Sequence, residues 1–347
     1  MAEPRAARLP RMALLGLILA FATVLAAQLG AVPIAAADWL TPPWHAGSEP
    51  LSGSAYVLWQ LRLPRLMLAL AVGASLGLAG ALSQALFRNP MADPGLLGVT
   101  SGAAAAVALA LTLFAGLQLA VPPELRLWLL PAVGFAGAIS VCFGLERLSR
   151  WLAPGSIAAL LLSGLAIQAL AFAVVGLCSF LASDEQLRAL NFWTLGSLAG
   201  ANWTMAFSST ALLAAVFTLT RQLAPRLNAL ALGEAVAAHV GIDVERLRAG
   251  AVLAVALLSA LAVAWCGSIG FIGLMAPHLA RQLVGADARQ VLPASALCGA
   301  LLLVAADTLA RTLAVPAEIP VGIFSALIGA PWFLFLLRGA LRRMGTA

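Results

Sequence analysis

The stretch that decides how this chain is organised lies at residues 228–248 and reads NALALGEAVAAHVGIDVERLR. It separates two long apolar segments and is too polar to remain in lipid. We expect a helix from Ala229 to His239, an interruption at Gly241, and a cap at Asp243 for the helix that enters the next segment. A plain connection needs only a few residues, so this insert predicts a docking surface for a soluble partner, with an ordinary hydrophilic loop as the alternative.

The composition outside this stretch is that of a membrane protein. Hydrophobic residues make up 62% of the 347 residues and charged residues only 10%, whereas a globular domain has roughly half and a quarter. The predicted fold class is an all-α membrane protein of about ten transmembrane helices in a single domain, residues 1–347. Apolar runs place the spans at about 12–36, 66–87, 97–116, 127–145, 156–181, 191–220 (with a break near Gly200), 249–267, 269–283, 290–312 and 321–338.

The charged residues exclude several functions. The net charge of +6 comes from arginine alone, because the chain has no lysine. A Walker A loop requires a lysine, so this chain is no P-loop ATPase and ATP-driven work must be done by a partner. No basic cluster carries interleaved aromatic residues, which argues against nucleic-acid binding. The four cysteines stand singly without a CxxC pair, so we expect small buried side chains and no metal or cofactor site.

The arginines also predict the orientation. With ten spans, fifteen of the twenty arginines fall on the side of the 228–248 insert, which the positive-inside rule makes cytoplasmic together with both termini. Arg5, Arg8 and Arg11 precede the first apolar run, which we interpret as an uncleaved first helix rather than a signal peptide cut near Ala35–Ala37. The five arginines predicted outside are Arg62, Arg65, Arg126, Arg188 and Arg311.

Two features within the spans predict how the helices pack. Gly73, Gly77 and Gly80 lie about one turn apart in the second span, and small residues at this spacing let helices approach closely in lipid. Asp307 lies within the ninth span, where a carboxylate is costly unless it is paired. We expect a structural partner such as Arg311, one turn further on, rather than a proton relay.

Several motifs follow one another along the chain: LRLPR (61–65), ALFRNPMADPGLLGVTSG (85–102), LNALALGEAVAAHVGI (227–242), GFIGLMAPHLAR (270–281), LLLVAADTLART (301–312) and EIPVGIFSALIGAPWFLFLL (318–337). Together they resemble one family, the permeases of type II ABC importers, which take up iron-siderophores, haem and vitamin B12. The resemblance covers almost the whole chain in the family's order. Within the family, residues 180–203 (FLASDEQLRALNFWTLGSLAGANW) are most similar to haem permeases.

The resemblance implies a homodimer in the bacterial inner membrane, with a translocation path along its two-fold axis. Two ATP-binding subunits would lie below it and a periplasmic binding protein above it. The cytoplasmic coupling helices would fall at about 228–246. The residues implied to contact the ATPase are Leu230, Leu232, Gly233, Glu234, His239 and Gly241.

Two further sites follow from the same resemblance. In the vitamin B12 importer, arginines at the places of Arg62, Arg65 and Arg311 meet acidic residues of the binding protein, although a snorkelling arginine at a helix end is the alternative. Gly155 and Ser156 lie in a Pro/Gly break where the family has its cytoplasmic gate, and a simple tight turn is the alternative there.

The predicted function is therefore the permease subunit of an importer for haem, powered by a separate ATPase. The same role for a ferric siderophore or cobalamin is the first alternative. An ion-driven secondary transporter would need several acidic residues at mid-membrane, where Asp307 is nearly alone. A structural membrane anchor would not account for the 228–248 insert.

Overall fold

The computed structural model describes residues 8–43, 52–113, 122–153, 156–315 and 317–345, and these residues form twelve α-helices and no strand. The first six helices are α1 (Arg8–Gln28), α2 (Gly53–Leu86, with a π-helical stretch at Val57–Arg62), α3 (Val99–Thr112), α4 (Pro123–Leu152), α5 (Ile157–Leu181) and α6 (Asp184–Leu195). The others are α7 (Trp203–Ala231), α8 (Glu234–His239), α9 (Val244–Cys266), α10 (Ile272–Val284), α11 (Ala288–Thr312) and α12 (Val321–Gly345).

The predicted all-α membrane fold is confirmed. Within the described part of the chain, seven helices are long and apolar enough to cross a membrane, namely α1, α2, α4, α5, α7, α9 and α11. Helix α3 and residues Val321–Phe335 of α12 are shorter apolar helices. Helix α10, of 13 residues, is short and largely buried. Helices satisfy their own backbone hydrogen bonds, which a segment in lipid requires.

Helix α2 forms the centre of the molecule, because 89% of its most apolar window is buried. It packs against α7, α9, α10 and α11. A second group of helices, α3, α4 and α5, packs together and joins the first group through the contact of α4 with α9. All four cysteines are buried and unpaired, as the sequence predicted.

The glycines of α2 explain how closely this centre is packed. A Cβ atom at Gly73 would lie 2.5 Å from the carbonyl oxygen of Gly299 in α11, and one at Gly80 would overlap the carbonyl of Gly273 in α10. Gly77 likewise faces the backbone of α11. The prediction that this stripe brings helices together is therefore confirmed: apolar surface alone drives little association in lipid, and close backbone contact supplies packing energy instead.

Two predicted spans have different bounds in the structure. The first span ends at Gln28 rather than near residue 36, because Gly30 has φ 148° and Pro33 follows. The predicted span at 191–220 is two helices, since Gly196 (φ 69°) ends α6 and the Asn202 side chain accepts a hydrogen bond from the Met205 N–H (3.0 Å) at the start of α7. The break near Gly200 is confirmed, and α6 is a separate short helix.

Candidate functional site

The insert at 228–248 is helical on both sides of a break, but the break comes earlier than the sequence predicted. Helix α7 continues to Ala231, and Gly233 (φ 123°) separates it from α8. The expected continuous helix from Ala229 to His239 is therefore wrong. Gly241 (φ 82°) interrupts the chain just after α8, as predicted. The Asp243 side chain caps α9 by accepting a hydrogen bond from the Arg246 N–H at 3.0 Å. A left-handed φ is readily available only to glycine, which fixes both bends.

Glu234 fastens α8 to the body of the molecule. Its Oε1 lies 3.0 Å from Nη2 of Arg248 in α9 and 3.4 Å from Nη2 of Arg88, which follows α2. Both partners come from elements that pack in the bundle, so α8 is held at two points. The Glu234 carboxylate therefore connects α8 to the rest of the bundle and is not a free acidic group available to a partner protein.

The segment around α8 presents an apolar surface, and of its side chains only Leu232 was among the predicted contacts. Leu232 is 74% exposed, Val236 44% and Val240 65%, whereas the predicted contact Leu230 is buried at 1%. Leu232 precedes the bend at Gly233, Val236 lies within α8 and Val240 directly follows it, and we call these three exposed apolar side chains the α8 ridge. His239 is exposed beside it. Apolar residues at intervals of four inside a polar insert were the sequence signal for this ridge.

A cavity of about 320 Å³ lies beside this insert and contains the candidate gate residue Ser156. Arg248, the partner of Glu234, lines the same cavity, together with Glu146 and Arg150 of α4. The Ser156 side chain caps α5 by accepting from the Ala159 N–H (3.2 Å). The start of α5 thus lies close to the α8 attachment. Gly155 falls outside the described residues.

The opposite end of the bundle holds the three predicted docking arginines, and two of them bind α1. Arg62 is 7% exposed. Its guanidinium donates to the carbonyl oxygens of Ala27 (2.8 Å), Gln28 (3.1 Å) and Val32 (2.5 Å). Arg311 donates to the carbonyl oxygens of Leu29 and Ala26. The last carbonyls of a helix lack intrahelical donors and carry partial negative charge, so both arginines cap the end of α1.

Arg65 is the principal partner of Asp307. Its Nε lies 2.9 Å and its Nη2 2.8 Å from Oδ1 of that fully buried carboxylate, and its Nη1 lies 2.7 Å from Oε2 of Glu318. The predicted pairing of Asp307 with Arg311 is confirmed at 3.7 Å, but the sequence did not indicate the closer partner, which is 242 residues away. A buried carboxylate needs such a bidentate partner to offset its lost hydration. The side chain of Glu318 is 45% exposed.

A cavity of about 650 Å³ lies along α3, α5 and α6. Its wall combines apolar side chains with neutral polar ones such as Gln168, Asn191 and Thr194. Asp93 is the one acidic group in this lining. Burial raises the pKa of the Asp93 carboxyl above its usual range, and the hydrogen bond it accepts from the Gly95 N–H (2.7 Å) opposes that shift.

The bundle of apolar helices, the short helix held outside it and the cavity along its flank are features of a membrane permease, and the comparisons with known proteins identify the class as the membrane-spanning permease subunit of an ABC importer. The model of the FecCD transport family matches residues 17–339, and the chain belongs to this family. In such importers ATP hydrolysis is carried out by a separate subunit, and a substrate-binding protein delivers the cargo.

Among curated proteins, the chain is 40% identical over 332 residues to the hemin transport system permease protein HmuU of Yersinia pestis, covering 94% of this chain and 96% of that one. It is 39% identical over 321 residues to the Fe(3+) dicitrate transport system permease protein FecD of Escherichia coli (92% and 96%). It is 37% identical over 323 residues to the vitamin B12 import system permease protein BtuC of Salmonella arizonae (93% and 92%).

A solved structure has the same fold. It is described as an inward-facing conformation of a putative metal-chelate type ABC transporter and is 32% identical, with a TM-score of 0.79 over 94% of this chain and 98% of the solved one. The relatives and this structure agree on the class of protein and differ in the cargo that their names state.

Proposed function

We propose that this permease imports haem. The observation that carries the proposal is the 40% identity to a hemin permease over nearly the full length of both chains. Identities of 39% and 37% to ferric dicitrate and vitamin B12 permeases keep those cargoes as the alternatives. All three cargoes are large metal chelates, so the proposal concerns which chelate the same machine carries.

The cavity along α3, α5 and α6 supports a path for such a cargo. Its lining contains no histidine, cysteine, methionine or tyrosine, so none of the described side chains there would ligate a haem iron. Phe172 and Trp193 offer flat apolar surface, and neutral amides and hydroxyls complete the wall. A wall of this kind lets a planar macrocycle pass without holding it.

A second copy of the chain would close this cavity. The cavity opens at the surface of one subunit, where α5 exposes large apolar side chains, among them Phe172 (79%) and Phe180 (86%). A homodimer with the path between the two subunits accounts for both features. We place this dimer in the bacterial inner membrane with both termini in the cytoplasm, because three quarters of the arginines lie on the side of α8 in that topology.

The α8 segment is proposed to dock the ATPase subunits. The α8 ridge supplies apolar contact area, and His239 extends it. Glu234 acts indirectly, since its ion pairs with Arg88 and Arg248 hold the ridge in place. Gly233 and Gly241 set the bends that present it. A helix held at two points can transmit a displacement of the ATPase to the start of α5 and Ser156.

The opposite end is proposed to dock the periplasmic binding protein. Glu318, whose side chain is 45% exposed, is the outermost group of the charged cluster there; the side chain of Arg65 behind it is 11% exposed, and Arg62 and Arg311 lie on the carbonyls of α1. Arg62, Arg65, Arg311, Asp307 and Glu318 together carry a net charge of +1, which suits an acidic partner. We therefore keep the three arginines as a docking face that Glu318 partly covers.

Uptake by the reconstituted importer tests the cargo. The permease, its ATPase and its binding protein would be placed in proteoliposomes with ATP inside the cytoplasmic compartment, and haem, ferric citrate and cobalamin would be offered separately. We expect ATP-dependent uptake of haem alone, with liposomes lacking the ATPase as the control. Uptake of ferric citrate or cobalamin in the absence of haem uptake would contradict the proposed cargo and leave the importer class unchanged.

A further inference from the structure

A groove on the outer surface of the helix bundle is lined almost entirely by apolar side chains. It has a volume of about 570 Å³ and lies between α1, α2, α7 and α11. Thr210 is the one polar residue among those lining it, and its hydroxyl donates to the Ala206 carbonyl oxygen (2.8 Å), so it offers the groove no free donor. The shape and chemistry of the groove suit a hydrocarbon chain.

A second pocket of about 390 Å³ continues the groove toward the α8 end of the bundle. The two share Phe217 and Pro293, and the second carries Arg221 of α7 and Arg289 of α11. Both arginines are exposed. Within the described part of the chain, neither guanidinium forms an ion pair or a side-chain hydrogen bond. An apolar groove therefore ends at two unpaired cations.

The same short pattern produces both arginines. Residues 221–225 read RQLAP and residues 289–293 read RQVLP, so a proline follows each arginine by four positions. Both prolines line the second pocket. A proline in a helix has no N–H for the carbonyl four residues earlier, which loosens the turn that carries the arginine.

We propose that the groove and the two arginines bind one anionic phospholipid of the cytoplasmic leaflet. An acyl chain would occupy the groove, and the phosphate would lie between Arg221 and Arg289. From Arg221 to Thr210 the helix rises by about 17 Å, which is close to half of a hydrocarbon core of about 30 Å. Guanidinium groups bind phosphate in a bidentate manner, and basic pockets between helices at this depth select anionic head groups.

The position of this site connects it with coupling. The Asn228 side chain joins the two helices just beyond the arginines, donating to Oδ1 of Asp287 (2.7 Å) and accepting from the Ala288 N–H (2.8 Å). Helix α7 then continues to Ala231 and the break before α8. A phospholipid that holds α7 against α11 would therefore brace the helix that carries the coupling segment.

Lipid retention by the purified permease tests the proposal. The protein would be incubated in detergent with equal amounts of phosphatidylglycerol and phosphatidylcholine of the same acyl chains, and bound lipid would be counted by native mass spectrometry. We expect the wild type to retain phosphatidylglycerol preferentially. The double variant Arg221→Gln/Arg289→Gln should lose that preference by about tenfold or more, since each interfacial arginine attracts anionic lipid.

Two further variants separate the head-group site from the groove. Arg226→Gln removes an exposed arginine on the same helix that does not line the pocket, and it should retain lipid like the wild type. Ala296→Phe fills the groove without changing charge, and it should reduce phosphatidylglycerol retention. Equal retention of the two lipids by the wild type, or an unchanged preference in the double variant, would overturn the proposal. Full retention by Ala296→Phe would overturn the placement of the acyl chain.

Discussion

At the scale of single residues, the arginines at the end opposite α8 show how strongly burial governs the role of a charge. The guanidinium groups of Arg62 and Arg311 donate hydrogen bonds to carbonyl oxygens of α1. Arg65 forms ion pairs with both the buried Asp307 and the exposed Glu318. Removing one partner of a buried pair leaves an uncompensated charge, whereas an exposed pair contributes little. The two acidic partners of Arg65 therefore have different expected roles.

Substitution of these two acids distinguishes folding from docking. Glu318→Gln should leave the melting temperature nearly unchanged and speed association with an acidic binding protein, because Arg65 loses its exposed competitor. Asp307→Asn should destabilise the permease by about 3–5 kcal/mol. Thermal melting and the association rate across salt concentrations measure both effects. An association rate that Glu318→Gln slows, or that salt leaves unchanged, would speak against electrostatic docking here.

At the scale of elements, α8 depends on its bends as much as on its own residues. Six residues cannot form a stable helix alone, so α8 is maintained by Gly233, Gly241 and the ion pairs of Glu234. Gly241 has open space around it, so its φ of 82° and not crowding is what requires glycine. Proline cannot adopt this φ, and an asparagine can do so at a modest cost.

Substitution at Gly241 should therefore uncouple transport. Gly241→Pro should abolish cargo uptake while the variant still inserts and melts like the wild type, because the change displaces the α8 ridge and spares the spans. Gly241→Asn is the matched control and should retain most uptake. ATPase stimulation by loaded binding protein provides the second measurement. Normal stimulation in Gly241→Pro would exclude the segment from coupling.

At the scale of the whole molecule, the exposed apolar faces of α5 and the cavity beside them are consistent with a subunit that pairs with its copy. The start of α5 would then approach the two-fold axis. Helix α7 exposes its groove on a different side, where we infer lipid. The two faces thus predict opposite outcomes for cross-linking between copies.

Cysteine cross-linking compares these faces. Ser156→Cys should form a disulfide between two copies in the closed state of the importer, and Thr218→Cys, exposed on α7, should not. The four native cysteines are buried, so the unsubstituted chain serves as the background. Dimers would be counted on non-reducing gels in each nucleotide state. A cross-link at Thr218→Cys with none at Ser156→Cys would show that the copies meet at α7 and would contradict an interface at α5.

Composition, hydropathy and local motifs determined much of this protein by themselves. They predicted an all-α membrane fold, the glycine stripe of α2, the interruption at Gly241 and the cap at Asp243, because each depends on residues close together in the chain. They did not predict the bend at Gly233, which divides the helix expected from Ala229 to His239. Only the tertiary structure decided which groups pair with the buried arginines. Arg65 contacts Asp307, 242 residues away, and Arg62 and Arg311 donate to the carbonyl oxygens of α1. The tertiary structure likewise brings Arg221 and Arg289 together in the second pocket, at the end of the apolar groove. The spacing of residues along a helix fixes which face a side chain occupies, but which helix lies opposite depends on packing of the whole bundle, and a single sequence carries no local signal of that.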